Sequence, residues 1–402
     1  MSQTGRTGQA GRTGHTGWAG LQTNVVALGL VSLFQDISSE MIYPLLPLFL
    51  ANVLGADKVI IGLIEGIAES TASLLKVFSG WLSDRSGRRK AWAVGGYSLS
   101  ALVKPIIALA TAWPFVLVVR FLDRVGKGVR TAPRDALLAA SSPAESRGRS
   151  FGLHRAMDTA GAVAGPLLAY ALLPVFSGNY RPIFALTLIP GLISVALLIF
   201  LVRERRVEAS PAQRQGLKLS LAPFDRPFRL FLLAVLVFTL GNSSDAFLLL
   251  RANATGVPGV QIPLLWLVFN VVNALASTPA GALSDRMGRR GVIISGYGVF
   301  ALVYLGFAGA NTAWQIWLLF AAYGLYYGLT DGVQRAYAAD LVPAHLRGTA
   351  FGIYHTLTGL ALFPASLVAG WLWQTVGVPA PFFYGAAMSG LAVAIFVFAL
   401  RR

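Results

Sequence analysis

The sequence predicts an all-α membrane protein with twelve transmembrane helices in two six-helix, pseudo-symmetric bundles. Three observations predict this fold class. The 402-residue chain is 55% hydrophobic and only 12% charged, whereas soluble domains carry about 25% charged residues. Its apolar residues form blocks long enough to cross a membrane, such as residues 183–202. The second half also repeats motifs of the first half at an offset of about 200 residues.

Six apolar blocks precede a polar segment and six follow it. Residues 1–22 repeat threonine, glycine and arginine without apolar periodicity, which predicts a disordered cytoplasmic tail. The predicted domains are an N-terminal bundle (23–202), a cytoplasmic linker (203–227) and a C-terminal bundle (228–402). The predicted spans, numbered 1 to 12, are roughly 24–51, 59–82, 91–111, 114–140, 150–174, 181–202, 228–250, 261–284, 291–310, 313–341, 350–374 and 381–400.

Lysine and arginine residues orient these spans. With both termini in the cytoplasm, the cytoplasmic segments hold 21 basic residues and the outer segments hold three, which are Lys58, Arg181 and Arg251. Cytoplasmic loops of membrane proteins carry such an excess. We therefore predict a multi-pass protein of the cell (inner) membrane with both termini cytoplasmic. The net charge of +16 is assigned to these loops and not to nucleic-acid binding.

The composition argues against several kinds of chemistry. The chain has no cysteine, only four histidines and no HExxH pair, so we expect no disulfide, no metal site and no cofactor. No nucleophile–base constellation suggests an enzyme. The expected partners are the lipid bilayer, protons and a small-molecule substrate, and we expect a monomer.

One loop motif occurs in both halves: GWLSDRSGRR at 80–89 recurs as GALSDRMGRR at 281–290. Both copies resemble the loop motif of the major facilitator superfamily, and the resemblance extends over essentially the whole chain after the tail. It implies the fold of that family, alternating access, and a latch for the outward-open state at Asp84 and Arg85. The candidate residues of this conformational motif are Gly80, Asp84, Arg85, Gly87, Arg88, Arg89, Gly281, Asp285, Arg286, Gly288 and Arg289.

These two loops also carry a direct physical interpretation. We expect Gly80 and Gly281 to let neighbouring backbones approach closely. Asp84 and Asp285 stand at helix ends, where a carboxylate can bind a helix N-terminus or an arginine. Topological anchoring alone would explain the arginines but not the glycines and aspartates.

Span 5 contains Gly161, Gly165 and Pro166 in the pattern G-x-x-x-G-P. This pattern resembles a motif of the drug:proton antiporter branch of the superfamily. Small residues at this spacing permit tight helix contact, and proline bends a helix. The resemblance implies proton-coupled efflux, although generic helix packing would explain the same residues.

Span 4 is unusually charged, and its ionic residues recur every three or four positions, so they share one helix face. RVGKG at 124–128 partly resembles the family motif R-x-x-Q-G, with lysine in place of glutamine. Charges in a membrane cost at least about 2.5 kcal/mol each, so they should face a cavity and pair. Lys104 lies on span 3. The candidates for proton coupling or a buried charge network are Asp36, Glu40, Glu65, Glu69, Lys76, Asp123, Arg124, Lys127, Arg130, His154, Arg155 and Asp158.

The second half carries fewer charges, which suggests coupling in the first half and substrate recognition in the second. The charged network could gate the cavity and relay protons, bind an anionic substrate, or form a static salt-bridge lattice. Proton-coupled efflux of a small organic solute is our first prediction, and proton-coupled uptake of an organic anion is the alternative. A protein of another class, handling lipid or sensing without transport, stays open. The candidate substrate-cavity residues are Arg120, Asn242, Asp245, Asn270, Asn273, Tyr327, Asp331 and Arg335.

Overall fold

The computed structural model describes residues 16–17, 21–142, 146–204, 220–343 and 346–399. Over these residues it confirms the predicted fold class, with twelve helical segments that each lie within a few residues of a predicted span. The helices are Thr23–Glu40 with Leu46–Leu48 and Phe49–Val53 (helix 1), Lys58–Ser86 (2), Arg89–Leu109 (3), Trp113–Ala140 (4), Arg147–Val175 (5), Tyr180–Phe200 (6), Arg226–Ala254 (7), Gly259–Met287 (8), Arg289–Gly309 (9), Ala313–Asp340 (10), Arg347–Thr375 (11), and Ala380–Ala394 with Ile395–Ala399 (12).

Most of the predicted tail and of the predicted linker lies outside the described residues. Within the tail, the strands Thr16–Gly17 and Leu21–Gln22 pair antiparallel just before helix 1. Eight helices in the described part of the chain are long and apolar enough to cross a membrane. The other four are helices 1, 2, 4 and 10, which contribute polar or charged side chains to the interior.

In both copies of the repeated loop motif, a glycine with a positive φ follows the helix. Helix 2 ends at Gly87, which has a φ of 63°, and Gly288 after helix 8 has a φ of 89°. Glycine adopts this left-handed region without the steric cost that a Cβ atom brings. Each loop therefore turns at once into the next helix, which begins at Arg89 or Arg289.

The first helix of each half is interrupted at a repeated sequence. Regular α-helix ends at Glu40 in helix 1, and helix 7 is broken between Gly241 and Ala246. These interruptions coincide with Ser-Ser-Glu at 38–40 and Ser-Ser-Asp at 243–245. Broken helices are tolerated inside a membrane only where their free backbone groups face protein or a cavity. The carboxylates of Glu40 and Asp245 consequently lie at the centre of the molecule.

Helix 5 packs on helix 1 through its glycines. A Cβ atom added at Gly161 would lie 2.6 Å from the Leu33 carbonyl oxygen, and one at Gly165 would lie 2.6 Å from Glu40 Cβ. The predicted close contact is therefore confirmed, and helix 5 continues through Pro166. Gly80 likewise lies close to helix 4, with Ala132 Cβ 3.1 Å from its added Cβ.

The prediction of a close approach is wrong for Gly281. A Cβ atom added there meets no heavy atom within 4 Å. Gly281 lies near the end of helix 8, and no neighbouring backbone packs against this glycine in the described conformation.

Replacing Gly165 with alanine should lower the unfolding temperature of the purified protein in detergent. The added methyl group must push helix 5 away from helix 1, and overpacking of this kind costs about 1–3 kcal/mol. Gly148→Ala on the same helix is the control, because its added Cβ meets nothing within 4 Å and alanine favours the helix. Equal unfolding temperatures for the two variants would contradict this packing role.

The two halves touch along helices 2 and 11, from Lys58 beside Gly370 to Ser73 beside Gly359. Lys58 starts helix 2, so this contact covers the end opposite the basic loops and continues past the middle. Towards the basic loops the halves separate. The interior consequently opens to the end that carries the arginine-rich loops. Both ends of the described helical chain lie at this same end, since Asn24 bonds to the Arg203 carbonyl (2.7 Å) and Arg290 to the Phe396 carbonyl (2.7 Å).

Candidate functional site

A cavity of about 370 Å³ lies between the two halves. The structure brings residues from both halves to its walls. It therefore confirms that the charged face of helix 4 points into a shared interior, as the spacing predicted. The predicted residues that line it are Asp36, Glu40, Glu69, Arg120, Asp123, Arg124, Lys127, Arg130, Arg155, Asn242, Asp245, Asn273, Tyr327 and Asp331.

Two arginines of helix 4 are neutralised by helix 2. Arg120 Nη2 donates to both oxygens of Glu65, at 2.9 and 2.8 Å, and both side chains are at least 95% buried. One turn further along, Arg124 Nη2 lies 3.2 Å from Glu69 Oε1. Asp123 lies between the two arginines, 3.7 Å from Arg120 and 3.9 Å from Arg124. These ion pairs join helices 2 and 4, and within each pair the carboxylate neutralises most of the charge of the arginine.

Three other cations of helices 3 and 4 in this cavity have no carboxylate partner among the described residues. Lys104 Nζ donates to Ser39 Oγ at 2.9 Å. Gln35 Oε1, in the amide orientation that satisfies the surrounding network, accepts from Lys104 Nζ at 2.9 Å and from Arg130 Nη1 at 2.6 Å. The Arg130 guanidinium also lies 4.6 Å from the centre of the Tyr97 ring. Within the part of the chain that the structure describes, Lys127 has no carboxylate within 4 Å.

The carboxylates of helix 1 differ from those of helix 2. Asp36 faces the cavity, and it has no hydrogen-bond or ion-pair partner among the described residues. Glu40 Oε2 accepts a hydrogen bond from Trp266 Nε1 of helix 8 at 2.7 Å, a contact that joins the two halves. Glu40 and Asp36 therefore stand on one face of helix 1 without an arginine or lysine within 4 Å.

The wall contributed by the second half is aromatic. Trp266 lies 4.8 Å from the ring of Tyr43 and 4.4 Å from that of Phe269, and Tyr327 meets Phe269 edge-on at 5.1 Å. Behind this wall, Tyr323 donates to Asp245 Oδ1 at 2.5 Å. The side chain of Asn242 donates to Tyr326 Oη at 3.3 Å. Tyr323 and Tyr326 are fully packed behind the wall, and of the three nearby tyrosines only Tyr327 reaches the cavity.

Towards the basic loops, one ion pair connects the halves. Arg155 of helix 5 lies 3.8 Å from Asp331 of helix 10, and Asp331 is held more tightly by Arg335 at 2.6 Å. All three side chains are largely exposed. Arg335 itself does not reach the cavity wall, and its contribution is to position Asp331.

A second chamber of about 590 Å³ adjoins the cavity between helices 5 and 8. It shares Asp36 and Arg155 with the cavity and is also lined by Asp158. Asp158 lies 3.6 Å from His154 Nδ1 and 4.0 Å from Arg134. The His154 ring in turn bonds to Ser32 Oγ at 2.8 Å through Nε2. This cluster holds helices 1, 4 and 5 together behind the chamber.

Six predicted residues do not line the cavity, and one of them is Asp158, which lines only the second chamber. Glu65 is buried behind Arg120, and His154 and Arg335 have the positions given above. Asn270 donates to the Ala162 carbonyl at 3.2 Å and thereby links helix 8 to helix 5. Lys76 lies farther along helix 2. The cavity wall also contains residues that were not predicted as site residues from the sequence, among them Ser39, Tyr43, Trp266 and Phe269.

The loop motif forms ion pairs in both halves. Arg89 binds Asp84 at 2.6 Å. In the second copy, Arg289 lies 3.8 Å from Asp285 and 2.7 Å from Asp340 at the end of helix 10. The sequence predicted either a helix N-terminus or an arginine as the partner of these aspartates. In the described conformation the partner is an arginine of the same loop.

Two six-helix halves, broken first helices and a polar cavity between the halves define a multi-pass membrane protein built for solute passage. The chain belongs to the Major Facilitator Superfamily, whose sequence model matches residues 28–251 and 230–402. It is 36% identical over 385 residues to an uncharacterised MFS-type transporter of Methanocaldococcus jannaschii, covering 94% of this chain and 95% of that protein. Members of this family are generally non-enzymatic carriers.

Two further comparisons agree with this assignment. The chain is 26% identical over 293 residues to the multidrug resistance protein MdtG of Citrobacter koseri, covering 70% of this chain and 71% of that protein. Its fold matches a crystal structure of the nucleoside transporter NupG with a TM-score of 0.76 at 14% identity, covering 94% of this chain and all of that structure. The second comparison concerns the fold alone.

Proposed function

We propose that this chain is a proton-coupled secondary transporter that exports a small organic solute by alternating access. The observation that carries the proposal is the position of Asp36. Its carboxylate faces the cavity and the adjoining chamber, without a hydrogen-bond or ion-pair partner in the described part of the chain. An ionisable group inside a membrane protein is costly, so one that is present there without a partner marks a functional site. A carboxylate that is open to water on one side and unpaired can take up and release a proton.

Glu40 is the second coupling group in this proposal. Its hydrogen bond from Trp266 spans the two halves, and a carboxylate accepts such a bond more strongly than a protonated carboxyl group does. The protonation state of Glu40 therefore biases how closely helix 1 approaches helix 8. This contact would couple a proton to the rocking of the halves.

The loop motif supplies the conformational latch in this mechanism. In the described conformation Asp84 is occupied by Arg89 of the same loop, and the interior is open towards these loops. We propose that closure at this end moves Asp84 from Arg89 to a partner in the other half. The exchange would stabilise the outward-open state that the family resemblance implies.

Efflux as the direction is supported by the relationship to multidrug resistance proteins and by the helix 5 motif. A second candidate is proton-coupled uptake of an organic anion, which the cations without a carboxylate partner favour. The basic loops support a cell-membrane location with cytoplasmic termini, so that the described conformation opens to the cytoplasm. We further propose that the protein works as a monomer, because one chain encloses the whole cavity.

Flux in proteoliposomes tests the proposal. A thermal-shift screen of the purified protein with ethidium, lactose and benzoate represents cationic drugs, sugars and organic anions. Flux of the stabilising solute is then measured with and without a pH gradient, using pyranine inside the vesicles to follow protons. Solute movement that drives protons in the opposite direction supports efflux, and movement in the same direction supports the second candidate. Stabilisation without any flux would favour a lipid-handling or sensing protein.

A further inference from the structure

The cations that helices 3 and 4 contribute to the cavity fall into two groups. Arg120 and Arg124 are paired with the carboxylates of Glu65 and Glu69. Lys104, Lys127 and Arg130 line the same cavity, yet no carboxylate of the described residues lies within 4 Å of any of them. The positive charge that lacks a direct ion pair is thus concentrated on the wall formed by helices 3 and 4.

Lys104 and Arg130 are held together by a neutral group. Both donate to the same oxygen, Gln35 Oε1, at 2.9 and 2.6 Å. Gln35 is fully buried, and Lys104 and Arg130 are only 2% and 6% exposed. The remaining partners, Ser39 Oγ and the Tyr97 ring, are neutral as well. Two buried cations that share one amide oxygen repel each other, and burial of unpaired charge is unfavourable unless an anion compensates it.

Lys127 extends this positive patch into the open part of the cavity. It lies one turn from Arg130 on the same face of helix 4, and it is exposed to the cavity. The related helix 4 motif has glutamine at this position. Lys127 stands beside the buried pair Lys104 and Arg130. Its long, flexible side chain can therefore bring an ammonium group to a negatively charged group of the solute.

We propose that Lys104, Lys127 and Arg130 form a subsite for the acidic group of the transported solute, a carboxylate or a similar oxyanion. Gln35 positions Lys104 and Arg130, and Lys127 sets the specificity. The opposite wall, Trp266 with Phe269, receives a flat apolar body. The solute class is therefore a small organic anion with an aromatic or apolar body, in a cavity of about 370 Å³. This inference rests on the proposed transport function.

Binding of benzoate to the purified full-length protein tests the subsite, with benzamide as the neutral isostere and benzylamine as the cation. Calorimetry in detergent should show benzoate binding about tenfold or more tightly than benzamide, as expected for a charge-assisted hydrogen bond. Lys127→Gln should remove about this factor for benzoate and leave benzamide unchanged. Lys76→Gln is the matched control, since this lysine of helix 2 does not line the cavity.

Three outcomes would overturn the subsite. They are benzamide or benzylamine binding as tightly as benzoate, an equal effect of Lys127→Gln and Lys76→Gln, and no benzoate binding to the wild type at about 10 mM. Because Lys127 is exposed to the cavity, its replacement should leave the fold intact, and an unchanged unfolding temperature checks this. Lys104→Gln should show the same selective loss.

Failure of the subsite and failure of the proposed function are distinguishable. Asp36→Asn removes a negative charge near the cations, so it should bind benzoate at least as tightly as the wild type while losing pH-driven flux. Benzoate binding without any pH-driven flux in the wild type would leave the subsite in place and reject the proposed coupling. Coupled flux of ethidium without benzoate binding would reject the subsite and leave the proposed coupling in place.

Discussion

Replacing Asp36 with asparagine is expected to abolish pH-driven flux and leave the protein folded. Asparagine has nearly the same shape but cannot exchange a proton at neutral pH. No partner is lost, because Asp36 makes no hydrogen bond or ion pair within the described residues. Loss of a proton-transferring group lowers rates by about 100-fold or more, and we expect the proton-coupled flux to fall by this factor.

The measurement must separate coupling from transport itself. Solute exchange at equal pH on both sides needs alternating access but no net proton movement, so Asp36→Asn should retain it. Asp225→Asn is the control, because Asp225 precedes helix 7 outside the cavity and its side chain makes no capping hydrogen bond. Wild-type pH-driven flux in both Asp36→Asn and Glu40→Gln would show that helix 1 does not carry the proton. Loss in Glu40→Gln alone would assign the proton to Glu40.

Periodicity and charge predicted most of the architecture for physical reasons. A helix that crosses lipid needs about 20 apolar residues, so the span limits can be located from hydrophobicity alone. Charges inside such spans must face a polar interior, which is why the spacing of Arg120, Asp123, Arg124 and Lys127 correctly predicted one cavity-facing surface. The glycines at 161 and 165 predicted a tight helix contact in the same way, and the structure identifies helix 1 as the partner.

Other features depend on contacts between distant segments, and no local pattern indicates them. Trp266 looks like any apolar residue of helix 8, and only the approach of helix 1 places its indole against Glu40. Gln35 stands next to Asp36 in the sequence, but its importance comes from Lys104 and Arg130 on two other helices. Gly281 is the opposite case, because the sequence pattern predicted a close contact that the described conformation does not contain. The repeat alone did not predict that difference between the halves.

Replacing Arg120 with alanine should destabilise the protein more than any other single loss of an arginine in the cavity wall. Its partner Glu65 is 98% buried and accepts both of its hydrogen bonds of 2.9 and 2.8 Å from the Arg120 guanidinium. Removing the arginine leaves a buried carboxylate without compensation, and breaking a buried pair in this way costs about 3–5 kcal/mol. The unfolding temperature in detergent and the yield of monodisperse protein should both fall strongly.

Arg335→Ala is the matched control, because Arg335 also binds a carboxylate at 2.6 Å, but with side chains 43% and 46% exposed. An exposed pair contributes only about 0–1 kcal/mol, so this variant should unfold close to the wild type. A double variant, Arg120→Met with Glu65→Leu, should recover much of the lost stability, since it removes both buried charges together. Recovery would show that the uncompensated charge is the cause. Equal stability of Arg120→Ala and Arg335→Ala would instead mean that water reaches Glu65, and that helices 2 and 4 are held together by their apolar contacts.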